Sequence, residues 1–258
     1  MNQLIASLVQ AVDGQAGLMF AVFLRVGAAM ALMPGFGERA ISFRVRLVLT
    51  LAFSAIVWSM TFQARGQSSA GFQPIMLLSE TLAGLALGVF FRLFVFILQI
   101  AGTIAAQAMS LSQIFGGAAT PDPLPAFGNL LLVAGFALAM SMGLHVKLAM
   151  ALAQSYQVMP LGKPLIAADV TEWGVAGLVS AFSTAFSLAA PFVLLSLCYN
   201  IALGAVNRAM PQLMVAFIGA PAITFGGLLI LLVAAPLILS GWLVLFDRGL
   251  AHPFEALF

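Results

Sequence analysis

An all-α, polytopic membrane protein is the fold class this sequence predicts, with about six to eight hydrophobic helices arranged in hairpins. Three observations carry the prediction. Hydrophobic residues make up 63% of the 258 and charged residues only 7%, against about 25% charged in an ordinary soluble domain, so too few polar side chains exist to cover a water-exposed globule. Charge-free runs extend over residues 93–121, 123–144, 173–207 and 209–246, each at or beyond the ~20 residues that span hydrocarbon. The connections between apolar segments are short, so residues 1–258 read as a single domain.

The first apolar segment covers residues 16–36. The 24 residues at the start hold no Lys or Arg and include Asp13, the wrong composition for a secretory signal with its basic leader, so the N-terminus is expected to stay on the protein. A loop over 37–46 carries Arg39, Arg44 and Arg46, which places it in the cytoplasm by the positive-inside rule and the N-terminus on the opposite side. Segments 47–62, 74–91 and 93–115 follow. Glu80 and Arg92 interrupt the last two, a costly placement against lipid, so both are expected to face protein. Twelve residues apart, about 18 Å along one helix, they cannot pair with each other and imply partners elsewhere. Residues 125–150 form the next segment, with His145 and Lys147 near its end, where basic residues suit a helix C-terminus. The final segment, 173–246, is long enough for two helices. Pro191, Pro211, Pro221 and Pro236 predict kinks or breaks in it, and its most polar interruption, Asn207, Arg208, Pro211 and Gln212, predicts the turn of a helical hairpin.

Small residues recur every four positions at Gly177, Ala181, Ala185 and Ala189, at Gly135, Ala139 and Gly143, and at Gly84 and Gly88. Such ridges let helix backbones approach closely, either within the chain or against a neighbouring subunit. Residues 107–125 combine apolar side chains with breakers, among them Gly116, Gly117, Pro121, Pro123 and Pro125. Irregular backbone at membrane depth survives only where protein buries it or where it lines a cavity. An ordinary exposed turn is the other reading of this stretch.

No catalytic constellation assembles from the sequence. His145 and His252 lie far apart, Cys198 is the only thiol, and no phosphate loop or metal-ligand cluster is present, so neither an enzyme nor a cofactor is expected. A lone cysteine in an apolar run acts as a small hydrophobe and leaves the redox compartment unread. The net charge of +2 comes from scattered residues rather than a basic cluster, which argues against nucleic-acid binding.

One family carries much of this pattern in order. Arg25, then Pro34, Gly35, Phe36 and Gly37, then Arg44 and Arg46 open the series. Glu80, Gly84, Gly88, Gly102, Gln107, Met109, Ser110, Leu111, Asp122 and Pro123 continue it. His145, Ser155, Tyr156, Pro160 and Gly162 follow, then Ala190, Pro191, Gly204, Arg208, Pro211, Gln212, Gly219 and Pro221. In this succession the chain resembles the FliR family of type III export-gate subunits, called SctT in the related injectisomes. It departs at Ser42 and Phe43, where the family usually has a proline before the basic pair, at Met214 in place of an asparagine, and at residues 222–224, which lack a lysine.

The resemblance implies a non-enzymatic subunit of the flagellar export gate at the basal body in the bacterial inner membrane. One such chain would join FliP and FliQ homologues in a helical hetero-oligomer, near an FlhB-like gate subunit, and unfolded flagellar proteins would pass through. It implies further that helices of the family are partly lifted out of the bilayer. The loop of Ile114, Phe115, Gly116, Gly117, Pro121, Asp122 and Pro123 would project into the channel as a plug. Subunit packing is expected at Gly177, Ala181, Ala185, Ala189, Asn207, Arg208 and Gln212. A competing reading is a secondary transporter for a small solute, with a midplane site formed where Pro191, Pro221 and Pro236 break helices.

Overall fold

A computed structural model describes residues 2–37, 41–62, 74–109, 126–210 and 215–253. The plug segment expected at 114–123, together with Arg39 and Gln212, lies outside the described residues. Within them the protein is helical, with seven helices: α1 (Asn2–Leu32), α2 (Phe43–Phe62), α3 (Pro74–Ala108), α4 (Ala126–Ser141), α5 (Leu144–Val158), α6 (Ala167–Ala209) and α7 (Val215–Ala251). Five are long and apolar enough to cross a membrane, and α4 with α5 could form a sixth, broken span. The protein is a multi-pass membrane protein.

Boundaries moved for definable reasons. Residues 74–108 form one helix, α3, across the interruption expected at Arg92, because Arg92 is helix-compatible and its guanidinium reaches the Leu32 carbonyl at 3.5 Å rather than breaking the chain; residues 110–115 of the run 93–115 lie outside the described residues. The run 125–150 instead divides at Gly143, whose φ of 77° lies in the left-handed region that glycine enters without steric penalty. His145 and Lys147 therefore occupy the first turn of α5, not the end of a helix, and the dipole argument made for them does not hold. Lys147 is held by Asp247 of α7 instead, with its ammonium 2.7 and 2.8 Å from the two carboxylate oxygens. Pro191, Pro221 and Pro236 lie inside helices and do not end them. At the polar interruption α6 ends at Ala209 and α7 starts at Val215, with Asn207 and Arg208 still helical, while Pro211 and Gln212 of the expected turn lie outside the described residues.

The chain forms two compact units. One comprises residues 1–93, 143–177 and 247–258, the other residues 94–142 and 178–246. In the first, α2 packs against α1 and α5, and Leu18, Ala21 and Met76 form a buried cluster under Trp58, Leu77 and Leu161. Phe90 stacks on Trp173 with ring centroids 4.9 Å apart. The Trp173 indole also donates to the Pro253 carbonyl at 3.2 Å. In the second unit Trp242 is buried, stacks on Phe246 at 4.9 Å and donates its indole N–H to the Phe94 carbonyl at 2.8 Å. Buried Trp usually finds a partner in this way. At Gly102 an added Cβ would strike the Gly128 backbone, so α3 and α4 touch through two glycines.

Candidate functional site

Three buried stripes converge in the first unit. On α1, Leu18, Val22, Arg25 and Ala29 recur at three- and four-residue intervals, the spacing of one helix face. Arg25 thus stands where a core side chain would. On α3 the stripe is Met76, Glu80, Ala83 and Leu87, and on α5 it is Leu144, Leu148, Leu152 and Ser155. Arg25 is 1% exposed and Glu80 0%.

The two charges meet as a fork. Arg25 Nε donates to Glu80 Oε2 at 2.7 Å and Nη2 to Oε1 at 2.9 Å, the bidentate arrangement that matches guanidinium to carboxylate. The remaining groups hold the start of the α5–α6 connection. Arg25 Nη2 also donates to the Met159 carbonyl at 2.9 Å, Nη1 to Ser155 Oγ at 3.2 Å, and the Gly162 amide to Glu80 Oε1 at 3.2 Å. The Ser155 hydroxyl passes its own proton to the Leu152 carbonyl at 2.7 Å. The Tyr156 ring lies under the guanidinium, 3.8 Å from its carbon, close enough for a cation–π contact. Gly162 has a φ of 77°, which turns its N–H toward the carboxylate, and a Cβ there would meet the Met76 side chain.

Close helix approach makes the fork possible. A Cβ on Gly84 would strike the Arg25 carbonyl and lie 2.9 Å from Ala28 Cβ, and one on Gly88 would lie 2.8 Å from Leu32 Cβ. Gly84 and Gly88, one and two turns beyond Glu80, therefore let α1 lie directly on α3, and this ridge is filled within the chain. Partners for Glu80 and Arg92 outside their own helix were expected, and Arg25 and the Leu32 carbonyl supply them. The fork itself was not anticipated. In the sequence Arg25 stands only as one mark in the family's series, although a single cation on the apolar stripe of α1 is the natural answer to a carboxylate on the apolar stripe of α3.

The residues expected to pack subunits divide into two sets. Gly177, Ala181, Ala185 and Ala189 are buried in the chain itself, with both Ala185 and Ala189 at 0% exposure, so this ridge packs internally. Asn207 and Arg208 sit in the last turn of α6 and are exposed. Beyond Phe192 the ridge continues on the same helix face as Ser196, Asn200 and Asn207, and there it is no longer covered. Ser196 is half-buried, whereas Asn200, Asn207 and the intervening Ile201 are exposed. Asn200 turns its amide onto the Ser196 carbonyl at 2.8 Å. No group of three or more metal-ligating side chains occurs among the described residues.

The sequence profile of the bacterial export proteins, family 1, matches residues 16–249. The chain belongs to this family. Its relatives include the flagellar biosynthetic protein FliR of Caulobacter vibrioides, 31% identical over 86% of this chain and 89% of that protein. FliR of Aquifex aeolicus is 28% identical over 84% of each chain, and FliR of Escherichia coli is 28% identical over 86% of this chain and 85% of its own. The match to the export family takes in all of the fork: Arg25, Glu80, Ser155, Tyr156, Met159 and Gly162 all fall within it.

Proposed function

We propose that this export-family chain is a non-enzymatic core subunit of the flagellar type III export gate in the bacterial inner membrane. It builds a channel with FliP- and FliQ-type subunits, at the basal body and beside an FlhB-like subunit, for the passage of unfolded flagellar proteins. The observation that carries the reading is similarity to flagellar FliR proteins along most of both chains. Its surface agrees with a life inside an assembly. Most residues of the 221–251 span and of α6 are left half-buried or exposed by the rest of the chain. At 43 residues α6 is about 65 Å long, roughly twice the ~30 Å hydrocarbon core, so part of it must be sheltered by something other than lipid tails.

The uncovered polar face of α6 is where partner subunits would dock. Lipid tails are as apolar as leucine, so helices in this setting associate through close packing and satisfied polar groups rather than by hiding hydrophobic area. Asn200, Asn207 and Arg208 present hydrogen-bonding groups that are costly to leave unpaired once water is excluded. The segment 114–123 would serve as the plug in the lumen, its glycines and prolines suiting an irregular loop lined by protein.

Deleting the gene in its own host and collecting culture medium tests the proposal. Hook and filament proteins should vanish from the medium while their intracellular synthesis continues, and the intact gene should restore export. Undiminished export from the deletion strain would refute it.

A further inference from the structure

We infer that the α5–α6 corner of the first unit binds the headgroup of a phospholipid that bears a primary amine, of the phosphatidylethanolamine type. A cleft of about 490 Å³ opens there, walled by Ala86, Ile166, Val170 and Trp173 and bearing two charges, Lys163 and Asp169. That volume lies in the range of small-molecule sites. Its position relative to the bilayer follows from the chain. Lys163, Asp169 and Glu172 form a charged stretch directly before the 173–207 charge-free run, which begins with Trp173. Tryptophan is enriched at the level of lipid headgroups, and the inference sets this junction of charged loop and apolar helix at that level.

The two charges decide which headgroup fits. Two ions of this unit are answered within it, Arg25 by Glu80 and Lys147 by Asp247. Among the described residues, neither the Lys163 ammonium nor the Asp169 carboxylate engages another side chain, and they do not form an ion pair with each other. One cleft thus holds an uncommitted cation and an uncommitted anion, the complement of a zwitterion whose phosphate and ammonium are a few atoms apart. The phosphate meets Lys163. The ammonium donates to Asp169. Ile166, 64% exposed, and Val158, 58% exposed, leave an apolar exit through which acyl chains run toward the bilayer. A phosphatidylglycerol would satisfy Lys163 but set its uncharged glycerol against Asp169, and a choline headgroup has no N–H to donate to the carboxylate. The inference does not depend on which assembly the chain joins.

Native mass spectrometry of the membrane-extracted full chain, with whatever subunits accompany it, provides the test, using phosphatidylethanolamine, phosphatidylcholine and phosphatidylglycerol of matched acyl chains. The wild type should retain one phosphatidylethanolamine per chain with about a tenfold preference over each of the others, the factor expected of one charge-assisted hydrogen bond. Asp169→Asn should bring the three lipids to parity. Lys163→Gln should weaken all three about tenfold, the phosphate contact being common to them. Both side chains are exposed, so these variants should keep the wild-type melting temperature. Ile166→Trp, which fills the cleft, should abolish retention. Equal retention of the three lipids by the wild type overturns the inference, as does a preference that survives Asp169→Asn. A photoreactive residue at position 166 that crosslinks to a polypeptide rather than to lipid would overturn it too.

Discussion

Removing one partner of the buried fork should be far more harmful than removing both. In Glu80→Gln the guanidinium of Arg25 keeps its place but loses its counter-charge, at a position where Arg25 is 1% exposed and water cannot substitute. Stranding a buried charge in this way costs about 3–5 kcal/mol. The Gly162 amide and the Met159 carbonyl add to the loss if the fork shifts, because each would then lack the partner it has at 3.2 and 2.9 Å. Arg25→Met, which strands Glu80, should cost a similar amount. The double variant Arg25→Met with Glu80→Leu has no buried charge, and replacing a buried ion pair by packed apolar groups of similar volume is often neutral. Allowing for the two loosened backbone groups, the pair of substitutions should cost no more than about 2 kcal/mol. The coupling between the sites should therefore exceed about 3 kcal/mol in a double-mutant cycle. Reversible unfolding of the purified chain in mixed micelles, followed by Trp fluorescence, gives the four stabilities. Additive single-site losses, or a Glu80→Gln cost below about 1 kcal/mol, would refute the claim that the fork is one buried unit.

Other perturbations give sharp expectations. Gly84→Leu should destabilise the chain by at least about 1–3 kcal/mol in the same assay, because a side chain there drives into the Arg25 carbonyl and Ala28. Lys147→Ala should cost no more than about 1 kcal/mol, since its pair with Asp247 is about a third exposed on each side and solvent screens it. Ala185→Leu should lower the melting temperature of the isolated chain, the residue being 0% exposed in it. Asn200→Leu with Asn207→Leu should leave that temperature unchanged but lower the yield of the assembled complex. In a background lacking Cys198, a cysteine replacing Val45, an exposed residue between Arg44 and Arg46, should resist an impermeant thiol reagent on intact spheroplasts and react after permeabilisation. Labelling before permeabilisation would invert the topology.

Much of the architecture was legible because membrane helices must satisfy their backbone internally, which leaves hydropathy as a direct readout. The division of the last long apolar stretch into α6 and α7 shows this well. Boundaries inside long apolar stretches were not legible, because hydropathy does not distinguish a glycine that stays helical, such as Gly135, from Gly143, which turns left-handed. Proline allows a kink or a break, and hydropathy does not tell which: Pro191 and Pro236 sit within helices without ending them, as neighbouring groups in apolar surroundings can absorb the freed carbonyl. Small-residue ridges announced close packing but not its address, and Ala181, Ala185 and Ala189 turned out to be filled from within. The fork was hidden for a different reason. Arg25 and Glu80 are 55 residues apart, and nothing local in either helix names its partner.

The central claim, that this chain is built to be completed by other subunits, is tested most directly by co-expressing it with the FliP- and FliQ-type proteins of its own genome and purifying through a tag on this chain. The account predicts one stable complex of fixed stoichiometry, lost when Asn200 and Asn207 are both leucine although the variant chain still folds. Recovery of the wild-type chain alone, folded and without either partner, would contradict it.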